Sequence, residues 1–525
     1  MPRVTNTGNI ATVLREGPSC IGTPNVGFEP TSEPDILSAK DNTSTVPRDV
    51  EHASLQRHVG LLGALSLIVG SMIGSGIFAS GSAVAFRAGS AGMLLSVWAG
   101  CGVLVTMGAL CYAELGTSIP KSGSEHTYLS AAFGGLGGFM YSWVSNLILK
   151  PSAQAGISLT FGAYVVEALG DTVRCSDHKT LIVKMLSVFA IGIICFINCA
   201  SVKWATRIQV IFTAAKLAAI ALLIITGLVR LGQGYNQNFK NAFEGTTTSI
   251  SDIGYAFYGG LWAYDGWNNL NYVTEELKNP LRDLPLAIII GIPLVTGCYV
   301  LVNIAYLTVL TQAQISTSGA VAVTLANQLY GVMAWVMPVF VACSTFGAAN
   351  GSAFTGGRLV YVSAREGHMP KMLALIHRRR HTPLPALVFT CIIAWIMLIP
   401  DSSNFDTLIN YFSFAAWTFY GATVAALLWL RFSKPDLERP YKVFIGCPVI
   451  VLLASVYLVI APFHDYPLES FYCLLFILMG IPVYFIFVKW KILPKWFLNF
   501  IDAVTYKVEA LTDSAFTEPD ASHDE

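Results

Sequence analysis

Two ionisable residues stand in the middle of apolar runs. Asp265 lies in Tyr258-Gly259-Gly260-Leu261-Trp262-Ala263-Tyr264-Asp265-Gly266-Trp267-Asn268-Asn269, and Lys216 in Phe212-Thr213-Ala214-Ala215-Lys216-Leu217. A carboxylate at the centre of a bilayer costs about 2.5–3.5 kcal/mol on insertion scales. A chain that keeps one there uses it to pair a buried polar group or to meet a cation. A third run, Ser66 to Phe78, has no charge but sets Gly74, Ser75 and Gly76 in succession. Each Gly costs a helix about 1 kcal/mol relative to Ala. Gly70 and Gly74 also have the GxxxG spacing of close helix packing, the plainer use of these residues.

Interrupted helices at corresponding places in two halves of a chain point to a binding site at the bilayer midplane. The second half of the run around Gly74 would begin at its break, directing free N–H groups of Ser75, Gly76 and Ile77 and the positive dipole end toward a carboxylate. The first half of the Asp265 run would end at its break, leaving carbonyls near Trp262 and Ala263 for an ammonium. Donors and acceptors a few ångströms apart match a zwitterion, and Asp265 would then serve as counter-charge for a cationic side chain. Lys216 would take the place of a sodium ion, or else snorkel to an interface. Trp262 would cover a bound substrate, or simply pack. Lys150, Lys184, Glu114 and Glu167 fall closer to the ends of their runs and read as structural.

The elements that must hold these residues are membrane helices. Hydrophobic residues make up 54% and charged residues 12% of the chain, half the roughly 25% charge usual for soluble domains. Twelve runs reach the length needed to cross the hydrocarbon layer. They are 60–80, 92–115, 136–168, 180–200, 208–230, 250–274, 284–310, 331–360, 384–400, 405–431, 446–463 and 468–489. The third and eighth are long enough to require tilt or overhang. The expected fold class is an all-α polytopic membrane protein of twelve transmembrane helices, with runs 1–5 and 6–10 as inverted repeats. Residues 1–57 read as a disordered cytoplasmic tail without a cleavable signal, 58–490 as the membrane domain and 491–525 as a second cytoplasmic tail.

Lys and Arg set the orientation. With both termini in the cytoplasm, the inner side gains Arg3, Arg15, Lys40, Arg48, Arg57, Lys203, Arg207, Arg365, Lys371, Arg378, Arg379, Arg380, Arg431, Lys434, Arg439 and Lys442. The outer side keeps Arg87, Arg174, Lys179, Arg230 and Lys240. The sequons at Asn42 and Asn350 then lie in the tail and in a span, where neither is usable. Of eleven Cys, only Cys175 falls in an outer loop; it would be a free thiol or one half of an intermolecular disulfide. Basic residues form no nucleic-acid stripe. No metal-ligand spacing, P-loop or nucleophile motif appears, so neither a metal nor a cofactor is expected, and neither is an enzyme.

Several motifs carry a resemblance: Gly74-Ser75-Gly76-Ile77-Phe78, Tyr112-Ala113-Glu114-Leu115-Gly116, Asn271-Tyr272-Val273-Thr274-Glu275-Glu276, Gly347 to Arg358, and Arg365-Glu366-Gly367. Over about residues 57–500 the chain resembles the light subunits of heteromeric amino-acid transporters in the amino acid–polyamine–organocation superfamily, nearest the system b-zero-plus type. L-type members have Gly where Asp265 stands and Phe where Trp262 stands. The resemblance implies a LeuT-like 5+5 inverted repeat with discontinuous helices 1 and 6. It implies sodium-independent obligatory exchange of cationic amino acids and cystine for neutral ones at the plasma membrane. The implied substrate set is Ile73, Gly74, Ser75, Gly76, Ile77, Trp262, Ala263, Tyr264 and Asp265, with Trp262 as gate and Lys216 replacing sodium. Cys175 is implied to bond a single-pass glycoprotein heavy chain of the rBAT type, and a dimer of such heterodimers is a further partner state. The long N-terminal tail departs from the family. A neutral-only exchanger of the L-type or y-plus-L-type, or a sensor that binds amino acids without turnover, are the alternatives.

Overall fold

The structure, a computed structural model, describes residues 59–170, 177–465, 467–492 and 494–516. The expected tail at 1–57 and Cys175 lie outside them. Helices dominate. The first half contains α1 (Leu61–Met72), α2 (Gly76–Ala79), α3 (Gly81–Ala88), α4 (Ala91–Ser118), α5 (Glu125–Phe133), α6 (Gly135–Val144), α7 (Lys150–Ala168), α8 (Lys179–Ala200) and α9 (Val202–Gly232). There follow α10 (Ile250–Ala263), α11 (Pro280–Leu307), α12 (Gln312–Ser316), α13 (Val321–Leu329), α14 (Val336–Arg365), α15 (Leu384–Leu398), α16 (Phe405–Ser433), α17 (Gly446–Ile460), α18 (Pro462–Asp465), α19 (Pro467–Val483) and α20 (Lys495–Thr512).

All twelve expected runs are largely helical. Among the described residues, nine helical stretches are long and apolar enough to cross a membrane. The other three expected crossings differ for visible reasons. The run 136–168 is two helices, α6 and α7, joined by a π-helical turn at Ser145–Leu149. The run 250–274 stops at Ala263 and resumes as a tighter 3₁₀ turn at Asn269–Glu276. α15 has 15 residues, about 23 Å at 1.5 Å each and short of the roughly 30 Å layer. α14 is a single helix of 30 residues, about 45 Å and longer than that layer.

Helix starts follow capping chemistry. Ser90, Ser249 and Asn404 each accept a hydrogen bond from the backbone N–H three residues on, which satisfies one orphan donor. Burial then sorts the helices. The most apolar window of α16 is 72% buried, against 22% for α8 and 17% for α19. α16 is therefore central and the other two peripheral, with Phe189, Phe196, Leu475 and Leu478 exposed on their outer faces. Large apolar side chains turned outward are what a lipid-facing surface requires. The chain is a multi-pass membrane protein.

Asn350 is buried between helices, accepting from Asn198 Nδ2 at 2.9 Å and donating to the Ala205 carbonyl at 3.1 Å. Its sequon is closed to glycosylation for that reason. The stretch 491–525, expected as a tail, is structured as far as Phe516. There β2 (Ser514–Phe516) pairs antiparallel with β1 (Leu375–His377). Arg378 lies 3.7 Å from Glu509 on α20.

Candidate functional site

The glycine-rich run breaks where its composition predicts. α1 ends at Met72, Ile73 is extended (φ −71°, ψ 92°), and helix resumes at Gly76. Among the described residues, no backbone acceptor takes the N–H groups of Gly74, Ser75, Gly76 or Ile77. They are the orphan donors of a helix start. The freed carbonyls of α1 are treated differently. Gly70 O accepts from Lys216 Nζ at 2.5 Å, and Met72 O accepts from the Tyr299 hydroxyl at 2.7 Å. Lys216 is only 2% exposed. Its ammonium does not snorkel; it sits at the negative end of the α1 dipole.

The second break faces the first. α10 ends at Ala263, and Ala263 O lies 2.8 Å from the same Tyr299 hydroxyl. One tyrosine thus stands against the carbonyl ends of both half-helices. The backbones also touch. A Cβ placed on Gly76 would fall 2.3 Å from Ala263 Cα, so only a residue without a side chain allows this approach. Ser71 Oγ donates to Gly266 O at 3.1 Å, a second tie between the two interrupted runs.

Side chains around the breaks divide into two groups. Trp262 is 6% exposed. Its ring meets Phe412 edge-on at 4.8 Å and Phe405 at 6.2 Å, both on α16. Asp265 is partly buried and its Oδ1 accepts from the Tyr420 hydroxyl at 3.0 Å. Tyr264 turns the other way. Its hydroxyl donates to Trp98 O at 3.0 Å and its ring packs on Tyr299 at 4.9 Å, so only its backbone is left for the site. The Gly76–Ala263 contact therefore joins the first break to the end of α10, and Trp262 and Asp265 flank that end in sequence. Lys216 stands behind the first break, and Cys175 lies outside the described residues.

Several residues here went unread in the sequence. Tyr299 and Tyr420 sit in apolar runs, where a tyrosine looks like packing. Glu125 follows a polar turn and looks like a loop acid, yet it is fully buried. It accepts from Tyr112 at 3.2 Å and Tyr272 at 2.8 Å, and also from Asn268 Nδ2. Lys150 Nζ lies 5.8 Å from the Tyr272 ring centre. Glu114, by contrast, is the structural acid expected: Arg431 grips it through two nitrogens at 2.9 and 2.5 Å, and Val443 N–H donates at 2.8 Å. A buried pair with every oxygen engaged is a clamp between α4 and α16.

This arrangement offers unpaired donors, helix-end carbonyls, a carboxylate and an aromatic ring beside them. These are groups that bind a zwitterion. Comparison with known proteins agrees. Residues 59–487 match the family model described as amino acid permease. The chain is 51% identical over 453 residues to the b(0,+)-type amino acid transporter 1 of Mus musculus, covering 86% of this chain and 92% of that protein. It is 48% identical over 482 residues to the protein of the same name from Homo sapiens, covering 92% and 98%. It is also 47% identical over 455 residues to the large neutral amino acids transporter small subunit 2 of Rattus norvegicus, covering 86% and 84%. A match across most of the membrane region, on a bundle with two facing helix breaks, makes the chain a transporter that belongs to the amino acid permease family.

Proposed function

We propose that this amino acid transporter is a sodium-independent obligatory exchanger. It takes up cationic amino acids and cystine in return for neutral amino acids, across the plasma membrane, by alternating access. Asp265 carries this reading. Its carboxylate stands at the second break, held by Tyr420, within the turn at 264–268 that follows the end of α10 at Ala263. A zwitterion with its carboxylate on the N–H groups of Ser75 to Ile77 would direct a cationic side chain toward that acid. The relatives named for b(0,+)-type transport fit the same reading. Sodium independence is supported by Lys216, whose ammonium fills the carbonyl end of α1 that a sodium ion would otherwise occupy.

On the same reading Trp262 is the gate, wedged against Phe405 and Phe412 until a substrate moves it. The fold is a LeuT-like inverted repeat with both termini in the cytoplasm. Cys175 joins the chain to a single-pass glycoprotein heavy chain of the rBAT type, and such pairs associate further. The second reading is a neutral exchanger, favoured by the similar identity to a transporter named for large neutral amino acids. In that case Asp265 would only anchor Tyr420.

The deciding experiment is radiolabelled arginine uptake into proteoliposomes containing the purified chain, without sodium, with or without leucine inside. Uptake that requires internal leucine supports cationic–neutral exchange. Leucine–leucine exchange with no arginine uptake would favour the neutral reading. Uptake without internal substrate would remove obligatory exchange.

A further inference from the structure

Away from the helix breaks, three side chains converge that are distant in sequence. His126 is the second residue of α5; Glu366 and His368 follow the last turn of α14. One donor atom from each lies within 4.8 Å of the other two. His126 Nε2 is 2.9 Å from Glu366 Oε2, and His368 Nδ1 is 3.9 Å from the same oxygen. From these distances we infer that His126, Glu366 and His368 form a binding site for a divalent transition-metal ion of the zinc class.

Four observations carry the assignment. The first is spacing. Ligand atoms at about 2.0–2.2 Å from a tetrahedral ion are about 3.3 Å apart; the two separations to Glu366 Oε2 bracket that value, and all three atoms lie within 4.8 Å of one another. The second is an unspent donor site. His126 Nε2 is buried and, despite its closeness to the carboxylate, makes no hydrogen bond of normal geometry among the described residues. The third is orientation. Gly367 has φ +79°, a left-handed turn that glycine adopts freely, and it lets Glu366 and His368 approach one point. The His368 backbone N–H bonds Ser363 O at 2.8 Å, and its ring meets Phe139 edge-on at 5.5 Å. The fourth is access. The Glu366 side chain is 42% exposed, against 16% for His126 and 11% for His368. The site opens on one side and is walled on the others.

The donor set selects the ion. Two imidazoles and a carboxylate suit zinc and its neighbours, with a fourth position left for water. Calcium and magnesium prefer oxygen ligands throughout. Ser142 Oγ, 3.3 Å from His368 Nδ1, is the hydroxyl placed to hold such a water. An occupied site would pin α5 to the end of α14. The residue before His126 is Glu125, whose carboxylate holds Asn268 and Tyr272 beyond the second helix break. Bound metal would therefore stiffen the segment next to the substrate site and slow turnover. The assignment does not depend on which amino acid is carried.

The test uses the full purified chain, stripped with a chelator. Zinc chloride is titrated calorimetrically, and cobalt(II) is added separately to read the visible absorption of a four-coordinate site. Wild type should bind one equivalent that His126→Ala, Glu366→Gln and His368→Ala each weaken by about tenfold or more, as lost metal-site partners do. The cobalt spectrum should vanish in the same variants. Zinc binding and cobalt absorption unchanged in His126→Ala and Glu366→Gln would overturn the site. Should His126→Ala fail to fold, His126→Gln keeps the side chain's bulk and answers the same question. In proteoliposomes, zinc on the α20 side should slow exchange by wild type and leave His126→Ala unaffected; equal slowing of both would place the effect elsewhere and remove the clamp.

Discussion

Gly76 and Ala263 touch backbone to backbone: a Cβ on Gly76 would come within 2.3 Å of Ala263 Cα and 2.8 Å of its Cβ. These are the residues at which the first interrupted helix restarts and the second one ends. Their contact brings free N–H groups and helix-end carbonyls to one point, which neither run could do alone.

Gly76→Ala should therefore push the two breaks apart. Overpacking of this kind costs about 1–3 kcal/mol, so the thermal midpoint should fall modestly while uptake is lost almost entirely. Wild-type uptake in a folded Gly76→Ala protein would mean that the close approach is not needed for transport.

Asp265→Asn removes the charge and keeps the shape. Arginine binding should weaken by about tenfold or more, the worth of a hydrogen bond to a charged group, with leucine binding little changed. Tyr420→Phe should shift the same ratio in the same direction by less. Competition of each amino acid against a common label measures both. Equal losses for arginine and leucine would reduce Asp265 to an anchor for Tyr420.

Lys216→Ala leaves the partly buried Gly70 carbonyl without its cation. An unpaired buried acceptor costs about 1–3 kcal/mol, so thermal stability should drop and transport should fail. Sodium chloride should restore some stability where choline chloride does not, since sodium suits the vacated carbonyl end of α1. No difference between the two salts would argue against the ion-replacement role.

Trp262→Ala removes the ring that fills the space beside Phe405 and Phe412. Retention of substrate should suffer most. Preloaded proteoliposomes should leak label in the absence of external substrate, and Trp262→Phe should leak less. A tight Trp262→Ala protein would assign Trp262 to packing.

Cys175→Ser should abolish a reducible high-mass band on a gel when the chain is made together with a heavy chain. Transport by the purified chain should persist. A band that survives the substitution would have to come through a different cysteine.

The sequence by itself determined the membrane class, the helix positions, both breaks and the two mid-membrane charges. These are local properties. Runs of apolar residues, three helix-weakening residues in a row, and a carboxylate beside Trp262 and Gly266 are legible one window at a time. The family resemblance added roles to the same residues.

What only the tertiary structure decided is pairing. Tyr299 lies far along the chain from both breaks, yet its hydroxyl meets the carbonyls of Met72 and Ala263. Glu125 follows a polar turn in the chain, yet it is buried and accepts from Tyr112, Tyr272 and Asn268. Tyr264 was grouped with its neighbours by position, and its ring in fact points to Trp98. His126 and His368 are separated by most of the bundle in sequence and share one carboxylate in space. Hydrogen bonds and metal geometry act over about 2–4 Å, whereas a sequence window fixes only what lies a few residues away. Which distant side chains meet across helices is therefore set by how the helices pack, and a single sequence does not record that.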